Sequence, residues 1–575
     1  MRVFQNLFLG GCFASLLLSG CIDNDYDLSD VDTNVSVQVN DLIIPVNLDV
    51  IKLKSVIDLN EDDAVRIVDG QYVALLEGAL SSSEVGVERF WIPKPADESK
   101  LITVPVSTNA AALRADAPLL TARISSAEAN VEVSMSATGI DPAIQTLDTL
   151  DFNSDFEIVV SASGLAQWVD GFTLQDFELN LPPNCDLTVS DNGEYNSKTG
   201  LVTFPGNLVV NGISKVLHVH MRELQADQAG IELVNQSMDY RSDCNASGVL
   251  AVYNDQLKPG VDAATLLGLT TVQYRYGVTF EGDIEVTSVS GEVDYRYPDM
   301  YVSPIKLDDM PDMLMQPGTK VVIENPQIYV SMNNPMYTSG VNAAISLSLS
   351  PEPASLLNFE TALKTYGEQN VFCLSPSKPS QYYSSDAADY SQAIFQPFEN
   401  LGSVLAGDGL PQLINVDVTA TVKQRVSNFQ LGDYGAVEGY YTFYAPLELT
   451  PGSEVFYTDT IADWNDEELD AVTIRRLRIT AEVVKDIPYA IELTVLPIDV
   501  QGNVINNLKT TAVLGAKTDE AIPLDVVLNG EIRHLDGIIL KAHVKADQAD
   551  ILTPEMWLKV SNVRVTATGS YDKEL

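Results

Sequence analysis

Apolar and polar residues alternate with a period of two along most of this chain. The alternation is clearest in ten segments, which cover residues 34–39, 130–135, 271–280, 283–295, 321–332, 343–349, 414–422, 474–484, 490–496 and 557–568. A period of two predicts half-buried antiparallel strands, each with one face in a core and the other in water. Between Val286 and Val289 the apolar positions change phase, which predicts a β-bulge or a turn.

Helical periodicity is confined to four short segments, at residues 142–150, 310–315, 353–364 and 391–406. Between strands, Asp191-Asn192-Gly193 and Gln501-Gly502-Asn503 supply residues that tolerate the positive φ of tight hairpins. Many short strands separated by such turns are typical of sandwiches and barrels. We therefore predict an all-β fold of several antiparallel β-sandwich domains, Ig-like or related, with a few short helices.

Shifts in composition suggest where the domains begin and end. A Pro/Ala-rich stretch covers residues 93–118, a second shift follows Tyr297, and residues 351–411 are poor in strand patterns. The expected organisation is an N-terminal β unit at 34–118, a β-sandwich domain at 119–298, a β domain with a long Tyr/Ser-rich loop at 299–412, and a C-terminal β-sandwich domain at 413–575.

The N-terminus has the order of a secretory signal. Arg2 is followed by an apolar run that ends at Leu18, and two small residues precede Cys21. Leu18-Ser19-Gly20-Cys21 resembles the lipobox of bacterial lipoproteins. The resemblance implies that residues 1–20 are a lipoprotein signal peptide, that Cys21 is the lipid attachment site, and that its acyl chains hold the protein to a membrane.

Acidic residues follow Cys21 at once, in Asp23, Asp25 and Asp27. This arrangement resembles the surface-export signal of Bacteroidota lipoproteins, and it implies an outer-membrane lipoprotein on the periplasmic face or the cell surface. The same aspartates also resemble the start of a calcium-binding EF-hand loop, but Leu28 stands where that loop needs Gly. Residues 21–33 are therefore interpreted as an acidic tether.

The chain is strongly acidic, with 80 Asp and Glu against 34 Lys and Arg and a formal net charge of −46. Neutralising a phosphate backbone requires clustered Lys and Arg, so nucleic acid is excluded as a partner.

Three cysteines follow the anchor, Cys185, Cys244 and Cys373. An exported protein meets an oxidising compartment, where Cys185 and Cys244 could form a disulfide, although three buried free thiols remain an equal alternative. Asp148-Thr149-Leu150 and Asp459-Thr460-Ile461 resemble the Bacteroidota O-glycosylation signal, which implies modification at Thr149 and Thr460.

Two segments carry residues that could bind metal ions. His218 and His220 stand two apart in a strand pattern, so both point to one face and could be metal ligands or simply face solvent. The acidic run at 463–468, with Asp470, could hold Ca²⁺ or form a solvated loop. No other cofactor is expected.

A long Tyr/Ser-rich segment at 376–398 is the candidate for ligand binding. Long irregular loops in compact domains are often functional. Its tyrosines offer flat rings and its aspartates could bind hydroxyl groups, although the rings could instead pack back on the sandwich. The candidate ligand residues are Tyr382, Tyr383, Asp386, Asp389 and Tyr390.

These features favour a membrane-anchored, non-catalytic envelope lipoprotein with a binding or assembly role toward a glycan or an envelope protein. The chain has neither the Gly-x-Ser-x-Gly motif of serine hydrolases nor the His-Glu-x-x-His motif of zinc proteases, so an enzyme is not expected. Two alternatives remain open, a secreted polysaccharide hydrolase and a purely structural or fimbria-like envelope component.

Overall fold

A computed structural model of the chain describes residues 34–44, 50–57, 59, 64–114, 117–307, 310–352, 359–385, 388–405, 411–516 and 518–574. Strands make up 61% of the structure and helices 7%, in several antiparallel sheets. The predicted all-β class with a few short helices is therefore confirmed. The signal peptide at 1–20, Cys21 and the tether at 21–33 lie outside the described residues.

The strands follow one another with few helical interruptions. In chain order they are β1 (Asn34–Ile44), β2 (Ile51–Lys52), β3 (Val65–Val68), β4 (Gln71–Val87), β5 (Phe90–Ile92), β6 (Glu98–Thr108), β7 (Leu120–Ile124), β8 (Asn130–Thr138), β9 (Thr149–Ser161), β10 (Gly171–Asn180), β11 (Cys185–Val189), β12 (Glu194–Tyr195), β13 (Leu201–Thr203), β14 (Leu208–Asn211), β15 (Ser214–Leu224), β16 (Ser237–Val252), β17 (Thr271–Phe280) and β18 (Ile284–Arg296). The remaining strands are β19 (Met300–Val302), β20 (Ile305–Lys306), β21 (Gln327–Asn333), β22 (Ala344–Glu352), β23 (Phe359–Lys364), β24 (Gln369–Ser375), β25 (Ile394–Pro397), β26 (Leu413–Gln430), β27 (Gly432–Pro446), β28 (Glu448–Leu449), β29 (Glu454–Ile461), β30 (Val472–Lys485), β31 (Ala490–Asp499), β32 (Thr510–Leu514), β33 (Thr518–Ile532), β34 (Leu535–Lys545), β35 (Asp550–Ile551) and β36 (Trp557–Glu574).

The helices of the described residues are short, with at most six residues each. The α-helices are α1 (Leu53–Val56), α2 (Asp312–Met315) and α3 (Glu467–Asp470), and 3₁₀ turns lie at Ala110–Arg114, Ser163–Leu165, Asn254–Gln256, Ala263–Gly268, Pro335–Ser339, Leu401–Leu405 and Ile505–Asn507. None of them has the length and apolar character needed to cross a bilayer.

Of the four helical segments expected from the sequence, the structure places α2 within 310–315 and a 3₁₀ turn within 391–406. The segment 353–364 is different, because its described part is strand β23, which pairs with β22. The segment 142–150 contains no helix and leads into β9. The phase change in β18 is confirmed as irregular pairing, since its register opposite β9 shifts between Val286 and Ser290, and its register opposite β26 shifts between Val289 and Gly291.

Contacts between residues divide the chain into two compact units. The first unit takes in the described residues of Met1–Lys52, Phe456–Val544 and Trp557–Leu575. The second unit takes in those of Leu53–Val455 and Lys545–Met556.

The first unit is a sandwich of two sheets over one core. One sheet has the strand order β1-β36-β30-β33, and the other has the order β29-β34-β31-β32. Leu477 of β30 and Val565 of β36 belong to the same buried cluster as Val495 of β31 and Leu535 of β34. Side chains from both sheets therefore meet in one apolar layer, which is the sandwich packing that the sequence predicts for this region.

The second unit contains a strand network and a separate seven-stranded sheet. In the network, β9 pairs with β15, β17 and β18, while β26 pairs with β18, β20 and β22. The seven-stranded sheet has the order β19-β4-β27-β21-β24-β25, with β3 added beside β4. Its pairs are antiparallel except for β24 with β25, which run parallel.

One face of the seven-stranded sheet lies against the network. An apolar cavity between them is lined from the sheet by Leu80, Val302, Val330 and Tyr441, and from the network by residues of β20, β22 and β26 such as Leu347. Because neighbouring residues of a strand point to opposite faces, the cavity residues identify the inner face of the sheet. Residues next to them in sequence lie on the outer face.

Strand pairing crosses the boundaries that composition suggests. β18, in the expected domain 119–298, pairs with β26 of the expected domain 413–575, and β4 of the expected unit 34–118 pairs with β27. The described residues therefore form two units rather than four consecutive ones, and residues 299–412 contribute to the second. Changes in composition mark loops, but they do not reveal which distant strands pair.

Substitutions that remove buried side chains from the core of the first unit should lower its stability. Leu477 is fully buried in β30, so Leu477→Ala should lower the free energy of unfolding by about 2–5 kcal/mol. The measurement is chemical denaturation followed by fluorescence of Trp464, which packs against the same cluster. Val513→Ala is the matched control, because Val513 is 67% exposed in β32 and should change unfolding by about 0.5 kcal/mol or less. Equal losses in both variants would contradict the placement of this core.

Candidate functional site

The outer face of the seven-stranded sheet carries an unusual number of tyrosines. In β27 the ring of Tyr441 points inward to the cavity, so Tyr440, Thr442 and Tyr444 point outward. In β21, Tyr329 stands directly opposite Thr442, so its ring also lies on the outer face. The sequence Gly-Tyr-Tyr-Thr-Phe-Tyr in β27 thus divides its aromatic rings between the core and the surface.

The Tyr/Ser-rich loop folds over this outer face as a small hairpin. Ser384 and Asp389 form an antiparallel bridge, and the N–H of Ser385 donates to the carbonyl of Ala388 over 2.8 Å. The Asp389 carboxylate accepts a hydrogen bond of 2.9 Å from the N–H of Ser391, which holds the pKa of Asp389 below its usual range. Asp389 therefore stabilises the base of the hairpin while its side chain remains exposed.

The hairpin is held down by its tyrosines. The ring of Tyr390 stacks on that of Tyr329 with centroids 4.4 Å apart, and its hydroxyl lies 2.6 Å from the Thr442 Oγ1. The ring of Tyr383 stacks on Tyr444 at 4.8 Å, and its N–H donates to the Tyr329 hydroxyl over 2.8 Å. These stacked rings and hydrogen bonds attach the loop to the sheet.

The loop residues expected to bind a ligand therefore have mixed roles. Tyr390 is only 1% exposed, and Tyr382 and Tyr383 are half-buried against the same cluster. The structure brings these three tyrosines together, but mainly as packing, which is the alternative that the sequence left open. Asp389 is exposed near them, and Asp386 lies outside the described residues.

Two tyrosines that the sequence did not single out are exposed on this outer face. Tyr440 is 48% exposed beside Tyr390, and Tyr301 of β19 is 67% exposed on the other side of β4. Tyr301 pairs with Ser81 and Tyr440 pairs with Ala79, so their Cα atoms are two strand spacings and two residues apart, roughly 12 Å. Both rings point outward, because Val302 and Tyr441 line the cavity.

Small and acidic residues surround these two rings. Ala79 and Ser81 of β4 lie between them, and the exposed carboxylates of Glu77 and Glu438 lie on the same outer face. We call this surface the tyrosine face and define it by Glu77, Ala79, Ser81, Tyr301, Glu438 and Tyr440. It offers two aromatic rings with only small side chains between them, and carboxylate and hydroxyl oxygens beside them.

Sequence reasoning missed this surface because its residues come from three strands that are distant in the chain. The only signal was the pattern of β27, where alternate tyrosines and threonines predict an outward row. Tyr301 has no such context, and only the pairing of β19 with β4 brings it to the same face.

The cysteines of the described residues are buried free thiols. Cys185 and Cys244 are not bonded to each other, contrary to the disulfide that the sequence allowed, and Cys373 is also free. Burial raises the pKa of Cys185 and of Cys244 to about 12, with nearby negative charge adding to the effect. Cys185 and Cys244 are the closest of the three in sequence, but proximity in sequence does not set the geometry that a disulfide needs.

The residues considered for metal binding are placed as follows. His218 and His220 lie side by side on the exposed face of β15. In the acidic run, Asp466 caps α3 by accepting from the N–H of Leu469, and Asp470 contacts His534 over 2.6 Å, which lowers the pKa of Asp470. Among the described residues, no group of three or more His, Cys, Asp or Glu side chains is arranged around one metal position.

The two threonines of the glycosylation-like signals differ in accessibility. Thr149 begins β9 half-buried, and its hydroxyl donates to the Ser290 Oγ over 2.8 Å. Thr460 is exposed in β29. Modification of either residue stays a prediction, with Thr460 the more accessible of the two.

The chain matches no protein-family model and no curated protein. Among solved structures, it is similar to one described as a "putative secreted protein from Parabacteroides distasonis ATCC 8503", with 16% identity and a TM-score of 0.34. That similarity covers 48% of this chain and 83% of the other. It assigns no ligand and no fold family to this protein.

The buried phenol of Tyr390 predicts a dependence of stability on pH. Burial raises the pKa of Tyr390 to about 12, above the ordinary tyrosine value of about 10. The neutral phenol therefore stabilises the fold fully below pH 10, and this contribution is lost as the pH rises toward 12. Tyr390→Phe should lose less stability over that interval, as measured by denaturant unfolding at pH 8, 10 and 11.

At pH 8 the same variant should be less stable by about 1 kcal/mol, because the Thr442 hydroxyl loses its partner. Tyr366→Phe serves as the control, since Tyr366 is 64% exposed in the same unit and should leave unfolding at pH 8 unchanged. A Tyr390→Phe variant that follows the parent protein at every pH would show that Tyr390 is not buried as described.

Proposed function

We propose that this protein is a membrane-anchored, non-catalytic envelope lipoprotein that binds a glycan at the tyrosine face. The observation that carries the proposal is the pair of exposed tyrosines, Tyr301 and Tyr440, on one sheet face with small residues between them and carboxylates beside them. The fold supplies the rigid surface, and the N-terminal segment supplies the attachment.

The chemistry of the tyrosine face suits a sugar. A pyranose presents C–H groups on the faces of its ring and hydroxyl groups around its rim. Tyr301 and Tyr440 offer flat apolar planes for the ring faces, and their hydroxyls remain available for hydrogen bonds. Glu77 and Glu438 are strong acceptors for sugar hydroxyls, while Ser81 can both donate and accept.

The negative charge of the protein narrows the class of glycan that it can bind. The protein carries a formal net charge of −46, so its field repels polyanions. Glu77 and Glu438 add negative charge at the face itself. A neutral or amino-sugar polysaccharide therefore fits better than a sulfated or uronic-acid polymer. The span of roughly 12 Å between the two tyrosines favours an oligosaccharide over a single sugar.

Rigid packing beside the tyrosine face also favours glycan binding there. The five stacked or tilted tyrosine pairs around Tyr329, Tyr383 and Tyr390 stiffen the neighbouring hairpin. Tyr440 belongs to one of these pairs, so a ligand would meet its ring already positioned and would lose little entropy in ordering it. Preorganised aromatic surfaces are effective binding sites for this reason.

The membrane anchor rests on the N-terminal sequence. In the proposal, Cys21 follows the cleaved signal peptide and carries acyl chains, and two or more such chains give stable attachment to a bilayer. The acidic tether at 21–33 then joins the anchor to β1, the first strand of the first unit.

The anchor predicts the effect of one substitution. Cys21→Ala should abolish lipid labelling, because the thiol that directly follows the signal peptide is removed, and should move the protein from the membrane fraction to the soluble fraction. The measurement is metabolic labelling with a fatty acid, followed by fractionation. Cys373→Ala is the control and should stay labelled and membrane-bound. Retention of the Cys21→Ala protein in the membrane with normal processing would refute the anchor.

The tyrosine face predicts a loss of glycan binding on substitution. Tyr301→Ala and Tyr440→Ala should each weaken binding at least tenfold on a panel of neutral, amino-sugar and anionic polysaccharides, because each removes a stacking surface worth about 1.4 kcal/mol or more. Affinity electrophoresis and calorimetry on the full chain give the measurement. Tyr366→Ala is the control, since Tyr366 is exposed but lies off the face.

The results of this panel separate the proposals. Binding that survives both tyrosine substitutions would place the ligand site elsewhere and overturn the tyrosine face. Release of reducing ends from a bound polysaccharide would support the hydrolase alternative instead of a non-catalytic role.

A structural or fimbria-like envelope role is the second candidate, and one observation favours it. The tyrosines of the 376–398 loop are used to pack the loop on the sheet rather than to present a ligand site. Loss of a higher-order assembly in the Tyr440→Ala protein, with no polysaccharide bound by the parent protein, would favour this role.

A further inference from the structure

We propose that His218 and His220 chelate a single divalent ion of the late first-row transition metals, Ni²⁺, Cu²⁺ or Zn²⁺, on the exposed face of β15. The proposal is independent of the glycan site. It rests on the spacing of the two histidines, on the carboxylates of β9 that face them, and on the Nε2 atom of each ring, which has no hydrogen-bond partner in the described residues.

The strand puts both imidazoles on one side. Leu217, Val219 and Met221 are buried, so His218 and His220 point to the opposite, exposed face. Residues two apart on a strand have Cα atoms about 6.6 Å apart. Two side chains of histidine length can converge from that spacing onto one metal, with nitrogens about 2.0–2.1 Å from it.

Each histidine faces a carboxylate on the neighbouring strand. β15 pairs with β9 so that His220 stands opposite Asp155 and His218 stands opposite Glu157. The Nδ1 of His220 lies 2.8 Å from the Asp155 Oδ1, and the Nδ1 of His218 lies 3.4 Å from the Glu157 Oε1. Each histidine thus has a carboxylate beside its Nδ1, at hydrogen-bond distance for His220 and in a longer ion-pair contact for His218.

The carboxylates determine which nitrogen is available. An ionised carboxylate only accepts hydrogen bonds, so the contact with Asp155 favours the neutral His220 ring that carries its proton on Nδ1 and keeps the lone pair of Nε2. Glu157 lies beside the Nδ1 of His218 and favours the same tautomer there. No residue in the described part of the chain makes a hydrogen bond to either Nε2. Metal-bound histidines in proteins show this arrangement, in which the second nitrogen donates to a carboxylate that orients the ring and strengthens it as a ligand.

The basic residues near the pair are held in ion pairs. On the same exposed face, Thr188 stands beside His220 on one side, and Thr279 stands beside Glu157 on the other. The nearby basic residues Lys215 and Arg222 are engaged with Asp191 and Asp186. The strongly negative protein also raises the local concentration of cations.

The ligand set identifies the class of ion. Imidazole nitrogens suit Ni²⁺, Cu²⁺ and Zn²⁺, whereas Ca²⁺ and Mg²⁺ require oxygen ligands. Two protein nitrogens leave the remaining positions to water, which agrees with the finding that no group of three or more ligand side chains surrounds one metal position in the described residues. Asp155 and Glu157 act as positioning residues.

The test is a titration of the full chain, purified in detergent, with Zn²⁺ by calorimetry and with Cu²⁺ by electron paramagnetic resonance. We expect one ion per chain, nitrogen hyperfine lines from two imidazoles, and no competition from millimolar Ca²⁺. His218→Ala and His220→Ala should each weaken binding at least tenfold, and the double variant should lose the site. Asp155→Asn should weaken it by roughly tenfold or more.

His534→Ala is the matched control. His534 is also an exposed histidine with its Nδ1 against a carboxylate, that of Asp470, but no second histidine stands two residues away. It should leave Zn²⁺ affinity and the Cu²⁺ spectrum unchanged. A His218→Gln/His220→Gln variant, checked by its melting curve, separates loss of the ligands from loss of the fold.

Two results would overturn the site. One is a double variant that melts normally and still binds one ion with parental affinity. The other is a Cu²⁺ spectrum that His534→Ala changes as much as the two substitutions in β15 do.

Discussion

The pairing of β27 between β4 and β21 is the constraint on which the rest of the second unit depends. It sets Tyr441 and Phe443 in the core and Tyr440 and Thr442 on the surface, and a slip of one residue would exchange the two sets. In this register the Tyr441 ring packs directly on the backbone of Gly78, where a Cβ atom would lie only 2.4 Å from the ring. The same pairing therefore fixes both the core and the tyrosine face.

Much of the fold could be predicted from the sequence because the signal of a half-buried strand is local. The irregularity of β18 appears in the sequence as a change of phase after Val286, and the structure has a register shift between Val286 and Ser290 opposite β9. The prediction of a helix at 353–364 was wrong because the structure there depends on pairing with another strand, which is not a local signal. Its residues have adequate helix propensity, but pairing of β23 with β22 overrides a preference worth only tenths of a kcal/mol per residue.

The candidate site was less accessible to prediction, because its exposure is decided by distant strands. Composition identified the Tyr/Ser-rich loop, yet Tyr383 and Tyr390 find partners in Tyr444 and Tyr329 and are largely withdrawn from solvent. No sequence pattern distinguishes Tyr301 from the other tyrosines. Only the pairing of β19 with β4 places it on the tyrosine face. The histidine pair was visible from its spacing, but the carboxylates of β9 that orient it were not.

The two proposed sites share a physical logic that the acidity of the chain helps to explain. A net charge of −46 disfavours compaction through self-repulsion, and the protein offsets this with fully apolar layers and stacked aromatic rings. The same composition supplies few Lys and Arg side chains to compete for a carboxylate. Neutral sugars and metal cations are thus the ligands that such a surface can accept, and both sites lie in the second unit, whereas β1, which follows the proposed tether, belongs to the first.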